Sequence, residues 1–209
     1  MSLFSLQFTV YGLQFTVYGL QLTVYGLRFT VYGLYLEFRG MTEVIVKDAD
    51  LQQAAMEGMD EFLGVFTKAI YDAIGGELTA ENMGELNSDQ LTLLSWDILH
   101  EELMDGGFVQ LIYNGYGPFI FKNPFAKALR QWGLREPSKF IYEAHTLWLK
   151  HREEIERELS DEEFMALFEQ FPDFETMDDQ FIENEEAWTE DIAHYVDDHI
   201  ERFATIIKD

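Results

Sequence analysis

Apolar residues recur every three or four positions through most of the chain after residue 47, a spacing that places them on one face of an amphipathic helix. The first such stretch predicts a single helix over residues 48–74, ended by two consecutive glycines. Its predicted apolar face is Leu51, Ala55, Met59, Phe62, Phe66, Ile70 and Ile74. Ser88 is predicted to cap a second helix, whose core face is Leu91, Leu94, Ile98 and Leu103.

Glycines and prolines divide the middle of the chain. The run Asp105-Gly106-Gly107 is predicted to interrupt the second helix, and the apolar residues 108–113 fit either a helix or a strand. A turn is predicted over residues 114–118. Asn123-Pro124 and Pro137 each predict a new helix, because proline is well suited to the first helical position. These two helices are expected to end at Gly133 and near Glu158.

Two further helices are predicted before the end of the chain. Ser160 and Glu163 have the spacing of a capping box, and Phe171-Pro172 separates that helix from a last one read over residues 181–207. The predicted apolar face of the last helix is Phe181, Trp188, Ile192, Tyr195, His199, Phe203 and Ile206. The expected fold is therefore all-α, a compact bundle of about six or seven helices.

Residues 6–33 follow a different pattern, four near-identical heptapeptides that end in TVYG, with a diverged fifth copy ending at Gly40. A glycine in every heptad disfavours a helix. A period of seven also sends the apolar residues of successive copies to opposite faces of a strand. The repeat resembles a translated tandem nucleotide repeat, with Met41 as a natural start.

Residues 1–40 are accordingly expected to be an appendage, disordered or weakly β, that is not part of the native domain. The alternative is a β-hairpin or two added to the domain, with exposed strand edges. The acidic all-α domain is predicted to comprise residues 41–209.

The composition indicates a globular protein with cationic partners. The chain has 209 residues, is 47% hydrophobic and carries a net charge of -25. That charge opposes direct binding to nucleic acid or to an anionic membrane, since both require clustered Lys and Arg. The chain has no cysteine, which agrees with a reducing cytoplasm, and cytoplasmic localisation is expected.

The acidic residues concentrate near the end of the chain, where residues 158–201 contain seventeen Asp and Glu and no Lys or Arg. Eight basic residues precede them within residues 122–157. Acids three or four positions apart on a helix stand roughly 5 to 6 Å from one another, on the scale of phosphates along a nucleic-acid strand. The residues predicted to contact a partner are Asp178, Asp179, Glu183, Glu186, Glu190, Asp191, Asp197, Asp198 and Glu201.

Sequence motifs for catalysis, cofactors and metals are lacking. The chain contains no HExxH, Walker or GxSxG motif. Asp191, His194 and Asp198 have helical spacing for metal ligands, but a di-metal helical bundle needs two Glu-x-x-His units. A non-enzymatic protein without cofactor or metal is therefore expected. His199, on the apolar face, is expected to be a core or interface histidine.

Two segments resemble a known family. DGGFVQLIYNGYGPF, from Asp105 to Phe119, is similar to the signature of the DMP-type (DNA mimic protein) family, small acidic helical proteins of bacteria in which Gly-Gly-Phe-x-Gln precedes an Asn-containing turn. FETMDDQFIE, from Phe174 to Glu183, resembles the family's second signature, where paired acids precede an aromatic. The resemblance covers most of residues 85–205. The motif residues that match in place are Gly106, Gly107, Phe108 and Gln110, read as architectural.

The resemblance implies an all-α fold, a homodimer and a surface that imitates duplex DNA in order to occupy a basic DNA-binding protein. The competing interpretation of the same acidic residues is an immunity- or antitoxin-type inhibitor of a basic enzyme such as a nuclease. The third interpretation is that the acidic face serves only to keep the protein soluble.

Overall fold

The computed structural model describes residues 5–10, 13–19, 23–24, 27–28, 32–37, 41–157 and 160–208. In this part of the chain the helices are α1 Asp48–Glu57, α2 Met59–Ala73, α3 Ser88–Tyr113, α4 Gly117–Lys122, α5 Phe125–Gln131, α6 Arg135–Ile155, α7 Asp161–Gln170 and α8 Pro172–Asp198. Short 3-10 helices lie at Met83–Glu85 and Ile200–Arg202. The predicted all-α class is confirmed.

The strands are β1 Ser5–Val10, β2 Leu13–Gly19, β3 Thr23–Val24, β4 Leu27–Arg28, β5 Tyr32–Glu37, β6 Ile45–Lys47 and β7 Thr205–Ile207. In the repeat, β1, β2 and β5 form an antiparallel sheet in that order, and β3 pairs with β4. The described backbone of the repeat is thus extended. The remaining residues of the repeat lie outside the described ones.

α3 is the central element of the helical bundle, and it packs against α2, α4, α5, α6 and α8. Its N-cap is Asn87 rather than the predicted Ser88, because the Asn87 side chain accepts the backbone N–H groups of Asp89 and Gln90 in a capping box. The interruption predicted at residues 105–107 is a kink inside α3. The undecided segment that follows is helical.

The single helix predicted over residues 48–74 is wrong. Gly58 adopts an extended conformation, with φ 159° and ψ 179°, and separates α1 from α2. Because of the break, the buried faces of α1 and α2 do not follow one continuous helical spacing. Ala54 is buried, whereas Ala55 and Met59, which were predicted to face the core, are exposed. Helix α4 was also not expected, because its residues fall within and just after the predicted turn.

The last helix begins earlier and ends earlier than predicted. It starts at Pro172, and its C-cap residue His199 leaves the helical conformation with φ -138° and ψ 32°. The β-branched residues that follow form β7, which pairs in parallel with β6 so that Val46 lies opposite Ile206. The two ends of the helical domain are thereby joined. No helix in the described part of the chain has the length and apolar character needed to cross a membrane.

Candidate functional site

The acidic residues of the last helix are held by a deeply buried opposite face. Phe174, Phe181, Ile192 and Val196 are fully buried, and α8 packs against α2, α3 and α6. The start of the helix is fixed to α6 by an ion pair in which Lys150 Nζ lies 2.8 Å from Asp173 Oδ2. Because the core determines the orientation of α8, the remaining face is directed to solvent.

Eight of the nine predicted partner-contacting residues lie exposed on this solvent face or just beyond its end. We call them the acidic ridge: Asp179, Glu183, Glu186, Glu190, Asp191, Asp197, Asp198 and Glu201. Seven belong to α8, and Glu201 belongs to the 3-10 helix that follows. With 27 residues, α8 extends the ridge along a helix roughly 40 Å long, at about 1.5 Å per residue.

The charges of the acidic ridge are not neutralised from within the described chain. Among the described residues, its one ion pair joins Glu190 to His194, whose Nε2 lies 3.6 Å from the carboxylate. The basic residues instead concentrate on α5 and α6, where Arg130, Arg135 and Lys139 line a shallow surface pocket. The ridge is therefore available to an external cation.

Asp178, the ninth predicted residue, has a different environment. It is half-buried, and its Oδ1 accepts the backbone N–H of Phe108 at 2.9 Å. Burial raises its pKa to about 7, an effect that the Phe108 hydrogen bond opposes and that the nearby charges of Asp179 and Glu175 reinforce. Asp178 thus joins α8 to α3 and is not part of the exposed surface.

The Gly-Gly-Phe motif forms the other half of that joint. Gly107 has φ 72°, a conformation that favours glycine, and a Cβ there would collide with the Asp178 carboxylate. A Cβ on Gly106 would collide with the side chain of Gln110, which donates to Asp105 at 2.8 Å. Phe108 is fully buried against other aromatic rings. The two family signatures therefore meet at one structural joint.

Only part of this contact between α3 and α8 could be predicted from the sequence. The double glycine indicated an architectural corner, but Asp178 has the same residue type and helical spacing as the exposed acids. Only the antiparallel packing of α3 on α8 separates it from them. The raised pKa follows from that packing, so no local sequence signal could have identified it.

One group of side chains in the described chain has metal-ligand geometry, Asp60, His100 and Glu185, whose ligand atoms lie within 4.8 Å of one another. His100 Nε2 donates to Glu185 Oε1 at 2.7 Å, so the pair is already satisfied as a hydrogen bond between α3 and α8. A cation there would have to replace the bridging proton. His199, the predicted core or interface histidine, is half-buried and donates from Nδ1 to the carbonyl of Tyr195 at 2.9 Å.

The structure therefore defines an acidic all-α protein that presents a row of exposed carboxylates along its last helix. The chain belongs to the DMP19-like protein family, whose model matches residues 84–199 and so includes the joint and all of α8. It is 37% identical over 128 residues to the DNA mimic protein DMP19 of Neisseria meningitidis serogroup B, across 60% of this chain and 77% of that protein. The predicted family is confirmed.

Proposed function

We propose that this protein is a DNA-mimic-like binding protein whose acidic ridge occupies a basic DNA-binding protein in competition with DNA. The observation that supports this most directly is a row of eight exposed carboxylates, only one of which has an ion-pair partner among the described residues. The family relationship adds a second, independent support, because the relative is itself named a DNA mimic.

The spacing of negative charge along the ridge supports this proposal. Acids three or four residues apart on a helix are roughly 5 to 6 Å from one another, and duplex DNA presents about one charge per 1.7 Å of axis. Charge complementarity of this kind mainly accelerates association, and it weakens as salt screens exposed charges. Binding to the partner is therefore expected to fall steeply with ionic strength.

The role proposed is binding and not catalysis, which agrees with the family relationship. That relationship also favours a DNA-binding partner over a nuclease-type enzyme as the target. With a net charge of -25, the protein itself is expected to bind neither nucleic acid nor anionic membranes. A homodimer would present two ridges, and light scattering of the purified protein measures whether it forms.

The test begins with capture of binding proteins from the native cell, elution with salt, and identification of DNA-binding proteins among them. Each purified candidate is then bound to its own DNA, and displacement of that DNA by this protein is measured by fluorescence anisotropy. The ridge variant for comparison exchanges the predicted contacts for neutral amides: Glu183→Gln, Glu186→Gln, Glu190→Gln, Asp197→Asn and Glu201→Gln. It should fold and should no longer displace DNA.

The matched control removes the same number of charges from exposed positions off the ridge. We call it the scattered variant, and its changes are Glu43→Gln, Asp50→Asn, Glu57→Gln, Glu77→Gln and Glu153→Gln. It should displace DNA nearly as well as the parent protein does. Equal displacement by the ridge variant and the parent would show that the ridge is only a solvated surface.

A further inference from the structure

An exposed isoleucine interrupts the acidic ridge. Ile182 is 60% exposed, and it lies three residues after Asp179 and four before Glu186, which makes it their neighbour on the surface of α8. A surface that only kept the protein soluble would gain from a polar side chain here. The isoleucine therefore gives the ridge a local apolar feature that charge does not explain.

Met104 on the neighbouring helix α3 lies at the same height along the helix pair as Ile182 on α8. Two hydrogen bonds fix the antiparallel register of α3 and α8, one from Phe108 N to Asp178 at 2.9 Å and one from His100 to Glu185 at 2.7 Å. Met104, which is 53% exposed, lies midway along α3 between His100 and Phe108. Ile182 lies midway along α8 between Asp178 and Glu185. The two exposed apolar side chains thus occupy matching positions along the line where α3 meets α8.

A second methionine extends the apolar surface from α2. Asp60, at the start of α2, has its carboxylate within 4.8 Å of the ligand atoms of His100 and Glu185. Its neighbour Met59 is the first residue of α2 and is 42% exposed, so its backbone lies close to this line. We call Ile182, Met104 and Met59 the apolar strip.

We propose that the apolar strip is part of the partner-binding surface and receives the apolar side chains with which a DNA-binding protein contacts thymine methyl groups and base edges. This inference rests on the proposed function, and it commits to one occupant, the DNA-contacting face of a basic protein. Such faces surround a few apolar contacts with phosphate-binding Lys and Arg. An apolar strip beside a row of carboxylates presents the complementary arrangement.

The two parts of the surface should respond differently to salt. Attraction between the ridge and cations is screened as ionic strength rises, whereas burial of apolar area is not. Methionine is unbranched and adapts its shape to different partner side chains, which suits a surface that imitates groove contacts. The strip would therefore provide the component of affinity that survives at high salt.

The test uses two synthetic peptides with the same number of lysines, one separated by serines and one with several of those serines replaced by leucines. Affinities are measured by fluorescence anisotropy at several salt concentrations. The parent protein should bind the leucine peptide roughly tenfold more tightly, as expected for burial of one or two apolar side chains, and this ratio should persist at high salt. The double variant Ile182→Gln/Met104→Gln should bring the ratio close to one without changing affinity for the serine peptide.

Leu149→Gln is the control, because Leu149 is 56% exposed and lies on α6, a helix that contributes no residue to the strip. It should retain the full ratio. Equal binding of both peptides by the parent, or an unchanged ratio in the double variant, would overturn this inference. If the ridge variant loses affinity for the serine peptide in that case, the proposed function still stands. If the ridge variant binds the serine peptide as the parent does, it is the proposed function that fails.

Discussion

At Gly107 the backbone leaves the helical region, so the N–H of the next residue is not bonded within α3 and instead reaches Asp178 on α8. A buried backbone donor left without an acceptor costs about 1 to 3 kcal/mol, so the two residues depend on one another. Asp178 consequently has a structural role, although it lies next to Asp179 of the exposed ridge. Neighbouring acids of one helix thus lie in different environments, determined by which face each residue occupies.

The raised pKa of Asp178 predicts a specific pH dependence of stability. Its pKa is about 7 in the folded protein, above the ordinary value of 3.8, so folding favours the protonated form. The stability that this preference contributes is present at low pH and is lost as the pH rises through about 7. Asp178→Asn imitates the neutral form at every pH and can still accept the Phe108 N–H.

We therefore expect the difference in unfolding free energy between Asp178→Asn and the parent to change with pH. As the pH rises from about 5.5 to about 8.5, it should shift in favour of the variant by up to about 2 kcal/mol. Urea unfolding at the two pH values measures it. The exposed ridge residue Glu186 provides the control, because Glu186→Gln should leave the difference from the parent nearly constant. A constant difference for Asp178→Asn as well would show that its carboxyl titrates like a surface group.

At the scale of elements, the sequence predicted helices wherever local signals were strong. The capping box predicted at Ser160 and Glu163 is present. Pro172, which is predicted only to separate the last two helices, is itself the first residue of α8. The prediction failed at the end of the chain, where tertiary pairing decided the outcome. The last residues have helical spacing, yet Thr205–Ile207 extends to pair with β6, a partner about 160 residues earlier in the chain that no local pattern reveals.

The acidic ridge itself predicts an effect on stability that is separate from binding. Like charges at helical spacing destabilise a helix by about 0.2 to 0.5 kcal/mol per pair, and no described base intervenes along the ridge apart from His194. The ridge variant should therefore melt a few degrees higher than the parent at low salt, since about 1 kcal/mol corresponds to roughly 2 to 4 °C in a protein of this size.

Salt distinguishes this relief of repulsion from any other stabilisation. At about 1 M salt the screening length falls to roughly 3 Å, so the gain of the ridge variant should largely disappear. The scattered variant should gain less at low salt, because of its five positions only Asp50 and Glu57 lie on the same helix, and they are seven residues apart. Thermal unfolding followed by circular dichroism measures both effects, and a ridge variant that melts below the parent would show that these carboxylates stabilise α8.

On the scale of the whole molecule, the two ends of the region from residue 41 to residue 208 lie side by side. Its buried apolar residues run from Val44 to Ala204, and the parallel pairing of β6 with β7 joins the two ends. The N–H of Thr205 also donates to the carbonyl of Val44 at 2.8 Å. The all-α class and the charge separation could be read from the sequence, because both follow from local composition. The closure of the domain could not, because it depends on contacts between its distant ends.

This closure supports the prediction that residues 41–209 fold without the heptapeptide repeat. A chain that begins at Met41 should have the same helical circular dichroism signal for the domain and a melting temperature within about 2 °C of the full chain. A chain that begins at Asp48 is the informative comparison, because it also lacks β6 and the buried Val44 and Val46. Each valine contributes about 1.5 to 3 kcal/mol by its burial, so this shorter chain should melt roughly ten degrees lower or fail to fold. If the chain from Met41 loses as much stability as the chain from Asp48, the extended strands of the repeat are an integral part of the fold.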